Sequence, residues 1–270
     1  MPGKEGFEML AEVEAIVRRT GGLVRLAEGD KEVHEKSGHQ DLVTKYDAGV
    51  QQLLQHDLLA LLPGAGFLGE ESPDADAHLE REFLFIVDPI DGTTNFVKSI
   101  PHCGISVGLA RRGEIVLGVI YDPYLDEMFS AERGKGAFLN GRPIHTSDVG
   151  LRDAVSVFGT SPYYRDLTDI SFRLARQLFE RSLDLRRMAS AALDLCYLAA
   201  GRIDCYFECL LSPWDYAAGS LIASEAGALA TSLTGAPLRF DRKCSLAAGT
   251  PRCHAELLAI ARECGFTEPA

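Results

Sequence analysis

The segment Ile86-Val87-Asp88-Pro89-Ile90-Asp91-Gly92-Thr93-Thr94-Asn95-Phe96 constrains this chain more than any other. The apolar run Phe83–Val87 reads as a short, fully buried strand, which delivers Asp88 and Asp91 at its carboxyl end. Pro89 removes a backbone donor and fixes a bend. Gly92 lets the chain turn sharply, and Thr93-Thr94 can cap a new helix. Two carboxylates three residues apart repel each other unless something positive lies between them. A hard divalent cation such as magnesium accepts such oxygen ligands. The N–H groups of Gly92 and Thr93, opening a helix, offer the geometry that binds phosphate. Taken alone, the Asp-x-x-Asp pair is explained equally well as a capped helix beside a solvated aspartate.

Three other segments carry acids at comparable places. Phe67-Leu68-Gly69-Glu70-Glu71-Ser72 ends an apolar run on two carboxylates. Asp41-Leu42-Val43-Thr44-Lys45-Tyr46-Asp47 puts Asp47 at the opening of a helix. Pro213-Trp214-Asp215-Tyr216 sets Asp215 at a helix start, behind the only tryptophan. Separately, Glu70 and Asp47 read as surface charges and Asp215 as a favourable N-terminal helix charge.

Periodicity supplies the rest of the organisation. Amphipathic spacing predicts helices over Phe7–Ala27 and Thr44–Leu62, with a polar loop or hairpin over residues 29–40. Gly104–Arg111 and Glu114–Tyr121 read as paired strands turning at Arg112-Gly113, and Asn140-Gly141 marks a further turn. After about residue 150 strands and helices alternate. Strands are predicted over Ala154–Phe158, Leu183–Met188, Ile203–Phe207 and Ala228–Ser232. Helices are predicted over Asp169–Glu180, Ala191–Ala200, Tyr216–Ala226 and His254–Glu263. The pattern implies stacked α and β layers in a single domain over 1–270, with subdomains of about 1–150 and 151–270.

Three short matches to active-site motifs fail on context. Gly64–Gly69 fits GxGxxG, but a helix precedes it and Glu-Glu-Ser-Pro follows, where a dinucleotide loop needs a strand and then a helix. Gly104–Gly108 fits GxSxG inside a continuous strand, not at a strand–turn–helix elbow. His102-Cys103 has the residue types for a thiol nucleophile but reads as a packed strand entrance.

Charge and cysteine usage limit the partners. Lys and Arg total 27 against 39 Asp and Glu, a net charge of −12, which argues against a nucleic-acid backbone binder and an anionic membrane surface. Anionic substrates remain open if the acids hold metal ions. The first ten residues show no secretory signal, and the apolar runs are too short to span a bilayer. Seven scattered cysteines read as reduced thiols in a cytoplasmic protein, with Cys205 and Cys209 as packing residues.

Together, DLVTKYD, FLGEES, DPIDGTTNF, GAFLNGRPI, ALDLCYLAAGRIDCYFE and WDYAAG resemble the inositol monophosphatase family, within the lithium-sensitive metal-dependent phosphatases that include fructose-1,6-bisphosphatase. The blocks run in family order over about residues 36–236. The resemblance implies a five-layer α-β-α-β-α sandwich, fructose-1,6-bisphosphatase-like, and a homodimer. It implies two or three Mg2+ per site, held by Glu70, Asp88, the carbonyl of Ile90, Asp91 and Asp215. It further implies in-line attack on a phosphate ester, such as inositol 1-phosphate, by a metal-activated water. Thr93, bonded to Asp47 and assisted by Glu70, would orient and deprotonate that water. Gly92 and Thr93 would hold phosphate oxygens, and Glu208, Asp91, Asp215 and the backbone near Ala191 would complete the substrate contacts. Lys36 matches a mobile-loop lysine of the family.

Two departures stand out. Ala189 replaces a usual glycine ahead of Ser190-Ala191-Ala192, which could narrow the substrate side. Lys45 replaces a small or acidic residue beside Asp47, where it either stabilises that carboxylate or points to water. Sibling specificities stay open: a sugar bisphosphate, histidinol phosphate or a 3′-phosphonucleotide. Arg186 and Arg187 lie near the substrate side, where a second phosphate would need cations. A non-catalytic regulatory protein on the same fold is a further alternative.

Overall fold

A computed structural model of the chain describes residues 5–25, 27, 32–36, 42–71 and 81–269. The N-terminal half opens with α1 (Glu5–Arg25), the short antiparallel pair β1 (His34–Glu35) and β2 (Leu42–Val43), and α2 (Lys45–Leu61). The predicted polar hairpin is therefore seen in part, and the remainder of 29–40 lies outside the described residues. Thr44 is the N-cap of α2: its hydroxyl accepts from the Tyr46 N–H, while its own N–H donates to Asp47 Oδ2 at 2.7 Å. Then come β3 (Gly66–Gly69), β4 (Phe83–Asp91), α3 (Thr93–Val97), β5 (Gly104–Arg111), β6 (Glu114–Asp122), β7 (Glu127–Glu132), β8 (Ala137–Leu139) and β9 (Arg142–Ile144). They form one seven-stranded sheet in the order β3-β4-β5-β6-β7-β8-β9, antiparallel except for the β3–β4 pair.

The C-terminal half contains β10 (Val155–Phe158), α4 (Thr168–Arg181), β11 (Asp184–Arg186), α5 (Ala191–Ala199), β12 (Cys205–Leu211), α6 (Pro213–Glu225), β13 (Leu229–Thr231), β14 (Cys244–Gly249) and α7 (Pro251–Glu263). Its five strands pair in the order β11-β10-β12-β14-β13, parallel on the β11-β10-β12 side and antiparallel beyond.

Five layers follow from which faces are apolar. Val13 and Val17 of α1 and Leu54 and Leu58 of α2 pack on Phe85, Val87, Val107 and Val119 of the large sheet. The alternate residues of the same strands, Ile86 and Ile120, face the other way onto Leu193 and Cys196 of α5 and Ala217 and Ile222 of α6. The opposite sides of α5 and α6, through Leu195, Leu198 and Tyr216, meet Val157, Tyr206 and Leu246 of the smaller sheet. Its outer face, Cys205, Phe207 and Ala247, is covered by Leu174 and Leu178 of α4 and Leu257 and Ile260 of α7. Period-two alternation on strands buried on both faces thus produces four apolar interfaces between α and β layers. The contact of α6 with β6 is close enough to require glycine: a Cβ on Gly118 would lie 2.7 Å from the Ala218 carbonyl oxygen.

The structure corrects several boundaries. β4 runs on through Asp91, past the expected end at Val87, with a register shift against β5 between Asp88 and Asp91, at Pro89. β12 is longer than Ile203–Phe207 and includes Glu208, whereas β11 is shorter than Leu183–Met188. α6 begins at Pro213, three residues before the predicted start. β3, β7 and β14 have no counterpart among the predicted strands. Thr93 and Thr94 do not cap α3; Gly92 is its N-cap, at φ 93°, with no side-chain cap. Ser106 is a fully buried residue of β5, and Gly66–Gly69 is a strand, so neither short motif forms its loop. All seven cysteines are free thiols and all but Cys244 are buried. No described helix is long and apolar enough to cross a membrane.

Candidate metal centre and substrate cavity

The carboxyl end of β4, the turn after β3 and the first turns of α5 and α6 converge on one cavity of about 370 Å3. Glu70, Asp88, Ile90, Asp91, Gly92, Thr93, Ala191, Glu208 and Asp215, all expected site residues, line it. Asp47 lies behind Thr93, 1% exposed.

Helix termini aim three of the acids. Asp91 Oδ2 accepts from the Ser190 hydroxyl and from the Ala192 N–H (2.8 Å), at the start of α5. Asp215 Oδ2 accepts from the Ser212 N–H at 2.7 Å, closing a capping box at the start of α6. Asp47 Oδ2 does the same for α2, accepting from the Thr44 N–H at 2.7 Å and its hydroxyl at 2.6 Å. The positive ends of helices favour carboxylates there. Asp88 is held differently: its Oδ1 accepts from the N–H of Ile90 at 3.0 Å, a local turn that Pro89 supports. Donors of this kind orient ligands much as outer-shell partners do in metal sites.

Asp88, Asp91 and Asp215 each offer a carboxylate oxygen, and these oxygens lie within 4.8 Å of one another. Burial raises the pKa of all three. It pushes Asp88 well above the carboxylate range, with repulsion from Glu70, Asp91 and Asp215 adding to it. Asp215 is raised likewise by burial and then by Asp91 and Glu70. Asp91 is raised to about 7 by burial, against the opposing Ser190 and Ala192 bonds. Such crowding of buried acids is relieved by a cation, and an all-oxygen donor set suits a hard divalent one, so the residues present fit a metal.

Glu70 stands beside this trio. Its N–H donates to the Val87 carbonyl at 3.2 Å, continuing the β3–β4 pairing, and Gln51 Oε1 receives the Glu71 N–H at 2.8 Å. Gly69 leaves room for Gln51, since a Cβ there would lie 2.3 Å from that oxygen. Burial raises Glu70 to about 7 although Lys36 opposes the shift. Lys36 Nζ lies 2.9 Å from Glu70 Oε1 and also binds Glu71. Burial pulls the lysine pKa down, but the two glutamates more than reverse this and hold it above the ordinary range.

Thr93 Oγ1 is 3.4 Å from Asp47 Oδ1 and 3.1 Å from the Ile90 carbonyl. Burial raises the Asp47 pKa, and the two Thr44 donors oppose this. At the other end of the cavity, Glu208 is buried, accepting from the Ser161 N–H at 2.6 Å and from the Tyr206 hydroxyl at 2.8 Å. Burial raises its pKa, and those two bonds oppose the rise. Gly159 leaves room for the carboxylate where it sits, because a Cβ would fall 1.8 Å from Glu208 Oε2.

Lys45 pairs with Glu32 at 2.7 Å, not with Asp47. Ala189 takes the left-handed φ of 68° that the usual glycine would adopt without strain, and its carbonyl oxygen lies 3.1 Å from where a Cβ on Gly92 would be. Arg186 pairs with Asp184 at 2.6 Å and does not line the cavity, whereas Arg187 does. Sequence reasoning missed Gln51, the loop residues Thr160, Ser161 and Tyr164, and Lys243. None belongs to a recognisable motif, and the strand pairing that brings Lys243 near was itself unpredicted.

The layered α/β sandwich, with Asp88 and Asp91 at a strand end meeting Asp215 at a helix start, belongs to the class of metal-dependent phosphomonoesterases. Residues 8–265 match the inositol monophosphatase family model, and the chain belongs to that family. It is 42% identical over 202 residues to an inositol-1-monophosphatase of Rhizobium meliloti, covering 73% of this chain and 74% of that one. It is 36% identical over 231 residues to the Nus factor SuhB of Vibrio cholerae, covering 85% and 86%. Among solved structures, a Thermotoga maritima IMPase superposes with a TM-score of 0.85 at 31% identity, covering 96% of this chain and 98% of that one.

Proposed function

We propose that the chain is a Mg2+-dependent phosphatase that converts inositol 1-phosphate to inositol and phosphate. The observation that carries this reading is the meeting of Asp88, Asp91 and Asp215 oxygens within 4.8 Å, in a cavity that Glu208 also lines. Asp88, Asp91, Asp215, Glu70 and the Ile90 carbonyl would hold two or three ions. Bound Mg2+ would lower the pKa of a coordinated water and stabilise charge developing on the phosphoryl oxygens.

The chain's own residues do the rest. With the Ile90 carbonyl, 3.1 Å from Thr93 Oγ1, turned to a metal ion, the Thr93 hydroxyl would donate its hydrogen bond to Asp47 Oδ1 at 3.4 Å, leaving its oxygen lone pairs to accept from and orient the attacking water. Asp47 and Glu70 are the proton acceptors of that relay. The N–H groups of Gly92 and Thr93 hold phosphate oxygens. Glu208 and Asp91, with the backbone at Ala191, receive polyol hydroxyls, and vicinal hydroxyls suit a carboxylate with two acceptor oxygens. Asp215 also contacts the ester. The family resemblance extends the proposal to a cytoplasmic homodimer inhibited by millimolar lithium; full resistance would point to a remodelled second metal site.

Phosphate release is to be compared for inositol 1-phosphate, fructose 1,6-bisphosphate, histidinol phosphate and a 3′-phosphonucleotide. The highest kcat/KM on inositol 1-phosphate supports the proposal, and equal or better rates on the others overturn the inositol assignment. Relatives named Nus factor SuhB raise a second reading, a regulatory role on this fold. The full set Glu70, Asp88, Asp91, Asp215, Thr93 and Asp47 favours hydrolysis, whether or not a second role accompanies it.

A further inference from the structure

Asp91 and Asn95 stand on either side of the Gly92 turn, and both reach the same distant segment, residues 188–192. Asp91 accepts from it, through the Ser190 hydroxyl and the Ala192 N–H. Asn95 donates to it. The Asn95 side chain is buried, and its Nδ2 donates to the Met188 carbonyl at 2.8 Å and to the His102 carbonyl at 2.8 Å. Two carbonyl acceptors require the amide nitrogen here and use both of its hydrogens, where a hydroxyl could serve only one of them.

Gly92 lies between the segments so joined. A Cβ on it would fall 3.1 Å from the Ala189 carbonyl oxygen and 3.1 Å from that of His102. The same two segments face each other again at His102 Nε2 and Asp194 Oδ1, both buried and neither with a hydrogen-bond partner among the described residues. Their separation of 3.9 Å is too long for a hydrogen bond, so the Asn95 amide supplies a directional hold that this pair does not. The held segment also carries strain, since Ala189 has a left-handed φ of 68°. Released at Met188, Ala189 would relax, and Ser190 and Ala192 would move with it away from Asp91.

We propose that Asn95 is a positioning residue: its amide holds residues 188–192 against the Gly92 turn, and so fixes both the donors that aim Asp91 and the Ala191 backbone on the polyol side. The inference rests on the phosphatase reading above for the roles of Asp91 and Ala191. It adds what keeps them in place.

The wild type is compared with Asn95→Ala, which removes both donors, with Asn95→Ser, which keeps one, and with Leu257→Ala, a core truncation in α7 away from the cavity lining. Two quantities are read: KM for inositol 1-phosphate at saturating Mg2+, and the Kd for Mg2+ from calorimetric titration without substrate. Asn95→Ala should raise both about tenfold and Asn95→Ser by less, while Leu257→Ala lowers the melting temperature and moves neither. Loss of folded protein lowers the apparent kcat but not these two quantities, so instability alone does not mimic the result. Coupling is reciprocal, so Mg2+ should slow solvent exchange of the Asn95 side-chain amide hydrogens in the wild type, read by nuclear magnetic resonance. Unchanged KM and Kd in Asn95→Ala overturn the positioning role. An exchange rate that Mg2+ leaves unchanged overturns it too, even where the variants do not fold. A wild type that binds Mg2+ but releases no phosphate from inositol 1-phosphate overturns the inositol reading instead, and the Kd and exchange measurements still decide the role of Asn95. A wild type that binds no Mg2+ overturns both.

Discussion

Thr93 Oγ1 lies 3.4 Å from Asp47 Oδ1, although the two residues are 46 positions apart and belong to different helices. Asp47 is already engaged as the capping acid of α2, so one side chain both closes a helix and faces the hydroxyl that would orient water. Removing that hydroxyl separates the two roles. Thr93→Ala should lower kcat about a hundredfold or more with little change in KM, while the melting temperature stays near that of the wild type. Asp47→Asn keeps the side-chain volume but weakens both roles, so it should lower kcat and the melting temperature together. Steady-state kinetics beside thermal denaturation tests the pair.

Much of this site was legible because its chemistry lies in contiguous text. Asp88 and Asp91 lie on one strand and Gly92 directly after it, so the apolar run Phe83–Val87 located the acids although it ended the strand four residues early. Thr44 and Asp47, and Ser212 and Asp215, are three residues apart, the spacing of a capping box, so both acids could be assigned to helix starts. The alternation of strands and helices after residue 150 carried the layered architecture. β14 was missed because Ser245-Leu246-Ala247-Ala248-Gly249 lacks the β-branched and aromatic residues that mark a strand, and only its pairing between β12 and β13 explains it. The cation Lys243 went with it. Glu70 shows the other limit: its resemblance-based role says nothing of the Lys36 and Gln51 contacts, which depend on tertiary packing.

Ala189 adopts a left-handed backbone without being glycine. That conformation costs an L-residue roughly 1–2 kcal/mol, against an entropic cost of roughly 0.5–1 kcal/mol for introducing glycine. Ala189→Gly should therefore raise the melting temperature slightly, by the equivalent of about 0.5–1 kcal/mol. Calorimetry of the two proteins decides it, and a lower melting temperature for the glycine variant would contradict the strain.

Gly159 tests the position of Glu208. A methyl group at 159 would overlap the carboxylate that Ser161 and Tyr206 hold. Gly159→Ala should displace Glu208 and raise KM for inositol 1-phosphate about tenfold, and Glu208→Gln should raise it by a similar factor. An unchanged KM in both variants would remove Glu208 from the substrate contacts.

The crowded acids also set a pH dependence for the metal-free protein. The folded-state pKa values of Glu70 and Asp91 are raised to about 7, chiefly by burial, above the unfolded values of about 4. Between those limits the folded state binds more protons than the unfolded one. Stability contributed by these groups is therefore greatest below about pH 4 and declines as pH rises towards 7. In chelator, their contribution should lower the melting temperature on going from about pH 5.5 to pH 8. Saturating Mg2+ should raise the melting temperature most at pH 8, where the carboxylates are ionised and bind it best. Thermal scans at several pH values, with and without Mg2+, check both statements.

The most direct test of the account is phosphate release from inositol 1-phosphate by the wild type and by Asp88→Asn, each with Mg2+ and with excess chelator. Asp88 is the acid that Glu70, Asp91 and Asp215 all press upon, and asparagine preserves its shape while removing the charge. The account predicts Mg2+-dependent release by the wild type, abolished by chelator, and a loss of roughly three orders of magnitude in the variant. Equal release by the two proteins, or wild-type release that persists in chelator, would contradict it.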